Sequence, residues 1–199
     1  MKNKIFFKIL FFLLLNIVLT KNYVSAKEIN LKAKEISTID EGSKIIGKKE
    51  TEAKIKDEIE IFADEFVYDK KKELLTAEGN ITIYDLKNNI KINSEKILYD
   101  KKNKKIISYF ETFFEIQKKY KIVSSDVNFK VDKGIIFSDK STKIEDDINN
   151  IIKVSSFKYF EKNKILNGSN IELIDNKQNK YFLKKGKFKL SDYELLGKD

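Results

Sequence analysis

Cysteine, histidine, proline, tryptophan and arginine are all absent from the 199 residues of this chain, and glycine is sparse, at 7 residues. Without cysteine or histidine there is no disulfide frame, no thiolate or imidazole nucleophile or base, and no Cys/His metal cage. Carboxylate, serine or lysine chemistry stays open but has no motif behind it, and there is no glycine-rich loop to cradle a phosphate. The missing arginine matters too: all 40 basic residues are lysine, so the planar guanidinium fork used by nucleic-acid readers is lacking. The lysines alternate with Asp and Glu in turns and form no unbroken basic stripe. The expectation is a protein that is no enzyme, with no cofactor, no metal and no nucleic-acid partner.

What is present begins with a leader. Lys2 and Lys4 precede an apolar stretch from Ile5 to Leu19, interrupted by Lys8 and Asn16, and a polar patch follows, ending Val24-Ser25-Ala26. Small residues at the last and third-last places fit signal-peptidase cleavage after Ala26. The apolar stretch falls short of the ~20 residues a spanning helix needs, which disfavours an uncleaved membrane anchor. Residues 1–26 therefore read as a signal peptide and 27–199 as the exported domain. Removing four lysines and no acid lowers the net charge from +9 to +5, so charge says little about partners.

A repeat of about thirty residues organises the exported part. An alternating apolar pair returns as Ile36 with Thr38, Phe66/Tyr68, Ile97/Tyr99, Val127/Phe129, Phe157/Tyr159 and Phe188/Leu190. Each pair is followed by a polar turn, then by an apolar doublet: Ile45-Ile46, Leu74-Leu75, Ile106-Ile107, Ile135-Ile136, Ile165-Leu166 and Leu195-Leu196. Within a unit the apolar residues recur at period two rather than 3.6, as in Ile59, Ile61 and Ala63, or Ile90, Ile92 and Ser94. Each unit thus reads as strand, turn, strand. Between Ala63 and Phe66 the apolar parity switches from odd to even, which a strand manages only through a bulge or bend. The charge-rich segment from Lys48 to Ile61 reads as a loop running into a strand. Roughly a dozen short strands in thirty-residue rungs predict an elongated two-sheet sandwich or β-jelly roll. The sequence stops in the middle of a unit, so the last edge is expected either to pair with another protein or to continue in further chain.

Ala63-Asp64-Glu65-Phe66-Val67-Tyr68-Asp69, Ala77-Glu78-Gly79-Asn80-Ile81 and Ile92-Asn93-Ser94-Glu95-Lys96-Ile97-Leu98-Tyr99-Asp100 resemble the signature repeat of the OstA-like domain. This family comprises lipopolysaccharide-transport proteins of the periplasm, among them the bridge protein LptA and the N-terminal part of the outer-membrane assembly protein LptD. The resemblance covers about residues 28 to 199 and is strongest from 59 to 108. The large membrane barrel that follows in LptD and the disulfide cysteines of many members have no counterpart here. Membership would imply an all-β, elongated V-shaped β-jelly roll of about six two-strand repeats, located in the periplasm, with association with the outer membrane as a further expectation. It would also imply lipopolysaccharide, through the acyl chains of lipid A, as the ligand, and other β-jelly-roll transport proteins as partners joined edge to edge.

On that resemblance the residues expected to line an oily slot between the layers are Ile61, Phe66, Tyr68, Ile83, Ile92, Ile97, Tyr99, Phe114, Ile122, Val127, Phe129, Phe157 and Tyr159. By residue type alone they are equally the core of a structural or surface β-repeat protein without lipid cargo, and that alternative stays open. The cluster Tyr109-Phe110 with Phe113-Phe114 reads either as a groove lip or as a hydrophobic corner. Glu145-Asp146-Asp147 lacks the spacing and glycine of a calcium loop and reads as a solvated turn. A carbohydrate-active enzyme on a β scaffold would need paired carboxylates facing a cleft, whereas most acids here sit in turns.

Overall fold

Period-two patterning becomes strand throughout the computed structural model, which describes residues 29–55, 58–192 and 194–198. The expected signal peptide lies outside the described residues. Sixteen antiparallel strands follow in order: β1 (Asn30–Lys32), β2 (Glu35–Ile39), β3 (Lys44–Ile55), β4 (Ile59–Asp69), β5 (Leu74–Asp85), β6 (Ile90–Asp100), β7 (Lys105–Ile116) and β8 (Tyr120–Ser125). They continue with β9 (Asn128–Lys130), β10 (Ile135–Ser138), β11 (Thr142–Asp146), β12 (Ile151–Val154), β13 (Ser156–Phe160), β14 (Ile165–Ile174), β15 (Lys180–Lys189) and β16 (Glu194–Lys198). The fold is all-β, as the repeat predicts. Hydrogen bonding links all sixteen strands into one sheet, so the two expected layers are two halves of a single folded sheet.

The fold line is written in the backbone. Pairing registers slip between Lys48 and Thr51, Phe62 and Glu65, Glu78 and Ile81, and Ser94 and Lys96. At these slips one of the paired strands enters the left-handed region, at Lys49 and Glu50, Gly79 and Asn80, and Phe110, and Asp126 and Asn170 take the same conformation farther along the chain. Such bulges add a residue to one strand and bend it sharply. Stacked in register, they crease the sheet along one line. Beyond β7 the crease becomes a break: β8 and β9, β10 and β11, and β12 and β13 are halves of single strands that separate at the bend. β8, β11, β12 and the end of β14 then pair in one layer, while β9, β10, β13 and the start of β14 pair in the other. The result is a V-shaped jelly roll with two leaves. Leaf one holds the residues after the bend in β4 and β6 and their partners; leaf two holds those before it.

Lys48 to Ile61, read as a loop leading into a strand, is instead mostly the second half of β3. Thr51, Ala53 and Ile55 alternate inward there and are buried, so three inward positions outweigh a charge-rich composition. Lys54 ties the outer side to Glu60 at 2.6 Å.

The hairpin turns use a recurrent device. Asp85 accepts hydrogen bonds from the amide and side chain of Asn88, Asp100 does the same with Asn103, and Asp146 and Asp175 do so with Asn150 and Asn179. These side chains satisfy backbone donors the ladder leaves free. The acidic run at Glu145–Asp147 belongs here: Asp146 is a buried turn cap.

Candidate functional site

The inner faces of the leaves carry two apolar ladders, each one residue wide. On leaf one, successive cross-strand partners run Ile45, Tyr68, Leu75, Tyr99, Ile106, Phe129, Ile136, Tyr159, Leu166, Phe188 and Leu195, crossing from β3 to β16. On leaf two they run Leu31, Ala53, Ile61, Ile83, Ile92, Phe114, Ile122, Ile144, Ile152, Leu173 and Tyr181. Side chains of alternate residues share a face, so one register places every ladder member inward.

All thirteen residues singled out from the sequence point into this interior. Tyr68, Tyr99, Phe129 and Tyr159 belong to the leaf-one ladder, Ile61, Ile83, Ile92, Phe114 and Ile122 to that of leaf two, and Phe66, Ile97, Val127 and Phe157 lie nearer the crease of leaf one. Twelve of them are no more than 4% exposed, and Tyr68 is half-buried. They join one continuous core cluster. The two leaves touch directly where Phe114 meets Phe157 edge to face, ring centroids 6.4 Å apart. The space between the leaves is thus occupied by the protein's own side chains rather than by an open slot. The aromatic cluster divides: Phe114 is interior, while Phe110 and Phe113 lie on the outside, Phe110 67% exposed at the crease with φ 65°.

Several ladder members escaped the sequence reading, among them Ile136, Leu166, Ile144 and Ile152. The signal for two of them was present in the apolar doublets, whose second members Ile136 and Leu166 face inward.

Contacts between the leaves are staggered. Phe114 on β7 reaches Phe157 on β13, and Tyr120 at the start of β8 donates to the carbonyl of Leu190, just past β15, at 2.8 Å. Leaf two of one strand therefore lies over leaf one of strands much later in the chain. This stagger leaves leaf one uncovered at the start of the fold and leaf two uncovered at its end. In line with it, inward-row Ile36 is 55% exposed beside β3, and Tyr181 is 48% exposed on β15. The interior is closed along its length and reaches solvent at its two ends. At the same ends, among the described residues, the sheet has edges: β1 and β2 each pair with β3 alone, and β16 with β15 alone.

Electrostatics inside is sparse. Burial pushes the Tyr99 hydroxyl up to about 12 and raises that of Tyr159 further, the latter having no hydrogen-bond partner. Asp85, Asp146 and Glu161 are the buried turn acids among the described residues; in Glu161, burial and then the adjoining Asp85 carboxyl raise the carboxyl to about 8. Nothing in the sequence flagged Asp85 or Glu161, since both sit where strands run into polar turns.

No protein-family model matches the sequence, and no curated protein does. Among solved structures, the chain is similar to the crystal structure of LptH, the LptA-homologous periplasmic component of the conserved lipopolysaccharide transport device from Pseudomonas aeruginosa. The two are 10% identical, with a TM-score of 0.43, over 74% of this chain and 94% of that one.

Proposed function

We propose that this chain is a periplasmic lipid-carrying module of lipopolysaccharide transport and outer-membrane assembly. In this reading it holds the lipid A acyl chains between the two leaves, as a bridge protein or as the N-terminal module of an outer-membrane assembly protein. The observation that carries the reading is the pair of unbroken apolar ladders lining the inner faces of the two leaves, with inward-row Ile36 and Tyr181 exposed at opposite ends of the fold. The OstA-like repeat around Ala63–Asp69, Ala77–Ile81 and Ile92–Asp100 supports it. Physical need supports it as well: at ~0.8 kcal/mol per methylene exposed to water, a lipid with several acyl chains meets a barrier of tens of kcal/mol to crossing an aqueous compartment. Acyl chains would enter at an end and part the leaves about the crease, exchanging side-chain contacts for hydrocarbon contacts. The edge strands among the described residues suit continuation of the sheet into other jelly-roll transport proteins. Energy for directional movement would come from elsewhere.

The experiment places a photo-crosslinking residue at Ile97 or Phe129 in the exported protein and exposes it to lipopolysaccharide, with outward Lys102 as control. Adducts at the inward positions support the reading; labelling only at Lys102 rejects it. The filled interior favours a second reading, a structural or surface β-repeat protein without cargo, which predicts no lipid adduct at any position and exposure on intact cells.

A further inference from the structure

Two carboxyl groups face each other inside the rim of the fold, where apolar contacts prevail. Asp85 ends β5 in an inward row otherwise made of Ile55, Ile59, Ile90, Ile116 and Tyr120, ahead of Asp146. Glu161 follows β13 at the rim of the other leaf, and its amide donates to the carbonyl of Gly134 at 2.9 Å. Asp85 is 4% exposed and Glu161 6%. One carboxyl hydrogen-bonds the other across the gap between the leaves. Such a bond needs a proton, because two carboxylates have only acceptors. Asp85 already accepts from the amide and side chain of Asn88, so Glu161 is the partner free to donate.

We propose that Asp85 and Glu161 form a proton-dependent clasp that holds the two leaves together at the rim, and that loss of its proton loosens this side of the interior. The groups around it make the clasp responsive. Lys87, in the turn after β5, and Lys164, in the turn after β13, lie near enough to favour ionised Glu161, while Tyr159 on β13 faces both acids with its hydroxyl unpartnered. Lys87 is also drawn to Glu58, 3.6 Å away. From the β9–β10 turn the backbone of Gly134 approaches. One oxygen of Glu161 likewise has no partner, so ionisation would leave charge in a buried place with little to solvate it. Opening the rim relieves that state. The clasp is independent of what the interior carries.

The direction follows from linkage. In the closed form Glu161 holds its proton to about pH 8, whereas in an opened rim it returns toward its ordinary 4.5. Closure is therefore strongest below pH 4.5, weakens as pH rises from there to about 8, and is constant above that. Because the chain has no cysteine, Leu166→Cys, next to Tyr159 on the leaf-one ladder, gives a single buried reporter thiol. Its reaction with a pyridyl disulfide reagent is followed from pH 5 to pH 9.5, and each rate is divided by that of the same protein in denaturant, which cancels the thiol's own titration. The normalised rate should rise by about tenfold or more up to pH 8 and then level off. Adding Glu161→Gln, whose amide can still donate to Asp85, should leave the rate flat, and Asp85→Asn should move the levelling point to lower pH. An equal rise with and without Glu161→Gln, or no rise in either protein, would overturn the clasp. None of these measurements involves lipid, so they stand or fall apart from the transport reading.

Discussion

Tyr120 and Leu190 lie seventy residues apart in sequence, yet the Tyr120 hydroxyl donates a buried 2.8 Å hydrogen bond to the Leu190 carbonyl. The bond ties the rim of leaf two to the end of leaf one. Tyr120→Phe keeps the ring and removes the donor, leaving a buried carbonyl short of a partner. The expected cost is about 1–2 kcal/mol, read as a lower urea midpoint, with faster amide exchange concentrated around residues 186–190. An unchanged midpoint would mean the rim is not a closure point.

Ile97 is fully buried beside the crease, whereas Lys102 is exposed in a turn. Ile97→Ala should cost about 2–5 kcal/mol through lost burial and the cavity left behind, and Lys102→Ala within about 0.5 kcal/mol of nothing. Paired thermal and urea unfolding of the two variants checks the inward assignment of leaf one. Equal effects would reverse it.

Gly47 sits opposite Phe66 on the neighbouring strand, and a β-carbon there would run into the Phe66 ring. Gly47→Ala should therefore destabilise by about 1–3 kcal/mol although its backbone suits alanine. Combining it with Phe66→Leu, which shortens the obstructing side chain, should cost less than the sum of the two single changes. Strict additivity in urea titrations would show that the two positions do not touch.

Equilibrium stability should carry the mark of Glu161 as well. Several acids that are exposed or partly buried, Asp40, Glu52, Asp100, Asp175 and Asp192, are held below their ordinary values by lysine, asparagine or serine partners, so they add stability at neutral pH and lose it in acid. Glu161 has the opposite sign, its raised value giving stability that fades between pH 4.5 and about 8. Subtracting the urea-derived stability of Glu161→Gln from that of the parent cancels the shared acids. The difference should fall across this window and be flat above it; a difference that rises with pH contradicts the assignment.

Much of this was legible before any coordinates. The thirty-residue return of Phe66, Ile97, Val127, Phe157 and Phe188 fixes strand spacing, because a period-two pattern with a repeated turn can bury itself only by stacking. The parity switch at Ala63–Phe66 located one crease in advance. Two things were hidden. In β3 the inward positions Thr51 and Ala53 are small or polar, so the strand looked like loop; only the neighbouring ladder makes them interior. Asp85 and Glu161 were hidden more deeply, because their meeting depends on the stagger between leaves, a long-range relationship that no local pattern encodes.

The central claim is that leaves closed on their own side chains part to admit hydrocarbon. Spin labels on Lys102→Cys, in a rim turn of leaf one, and Lys118→Cys, in a rim turn of leaf two, report that separation by pulsed electron resonance in an otherwise cysteine-free chain. With lipopolysaccharide added, the account predicts that the distance distribution moves outward by about 4 Å or more, roughly one layer of carbon contact. A distribution that stays in place while lipopolysaccharide is bound would contradict it.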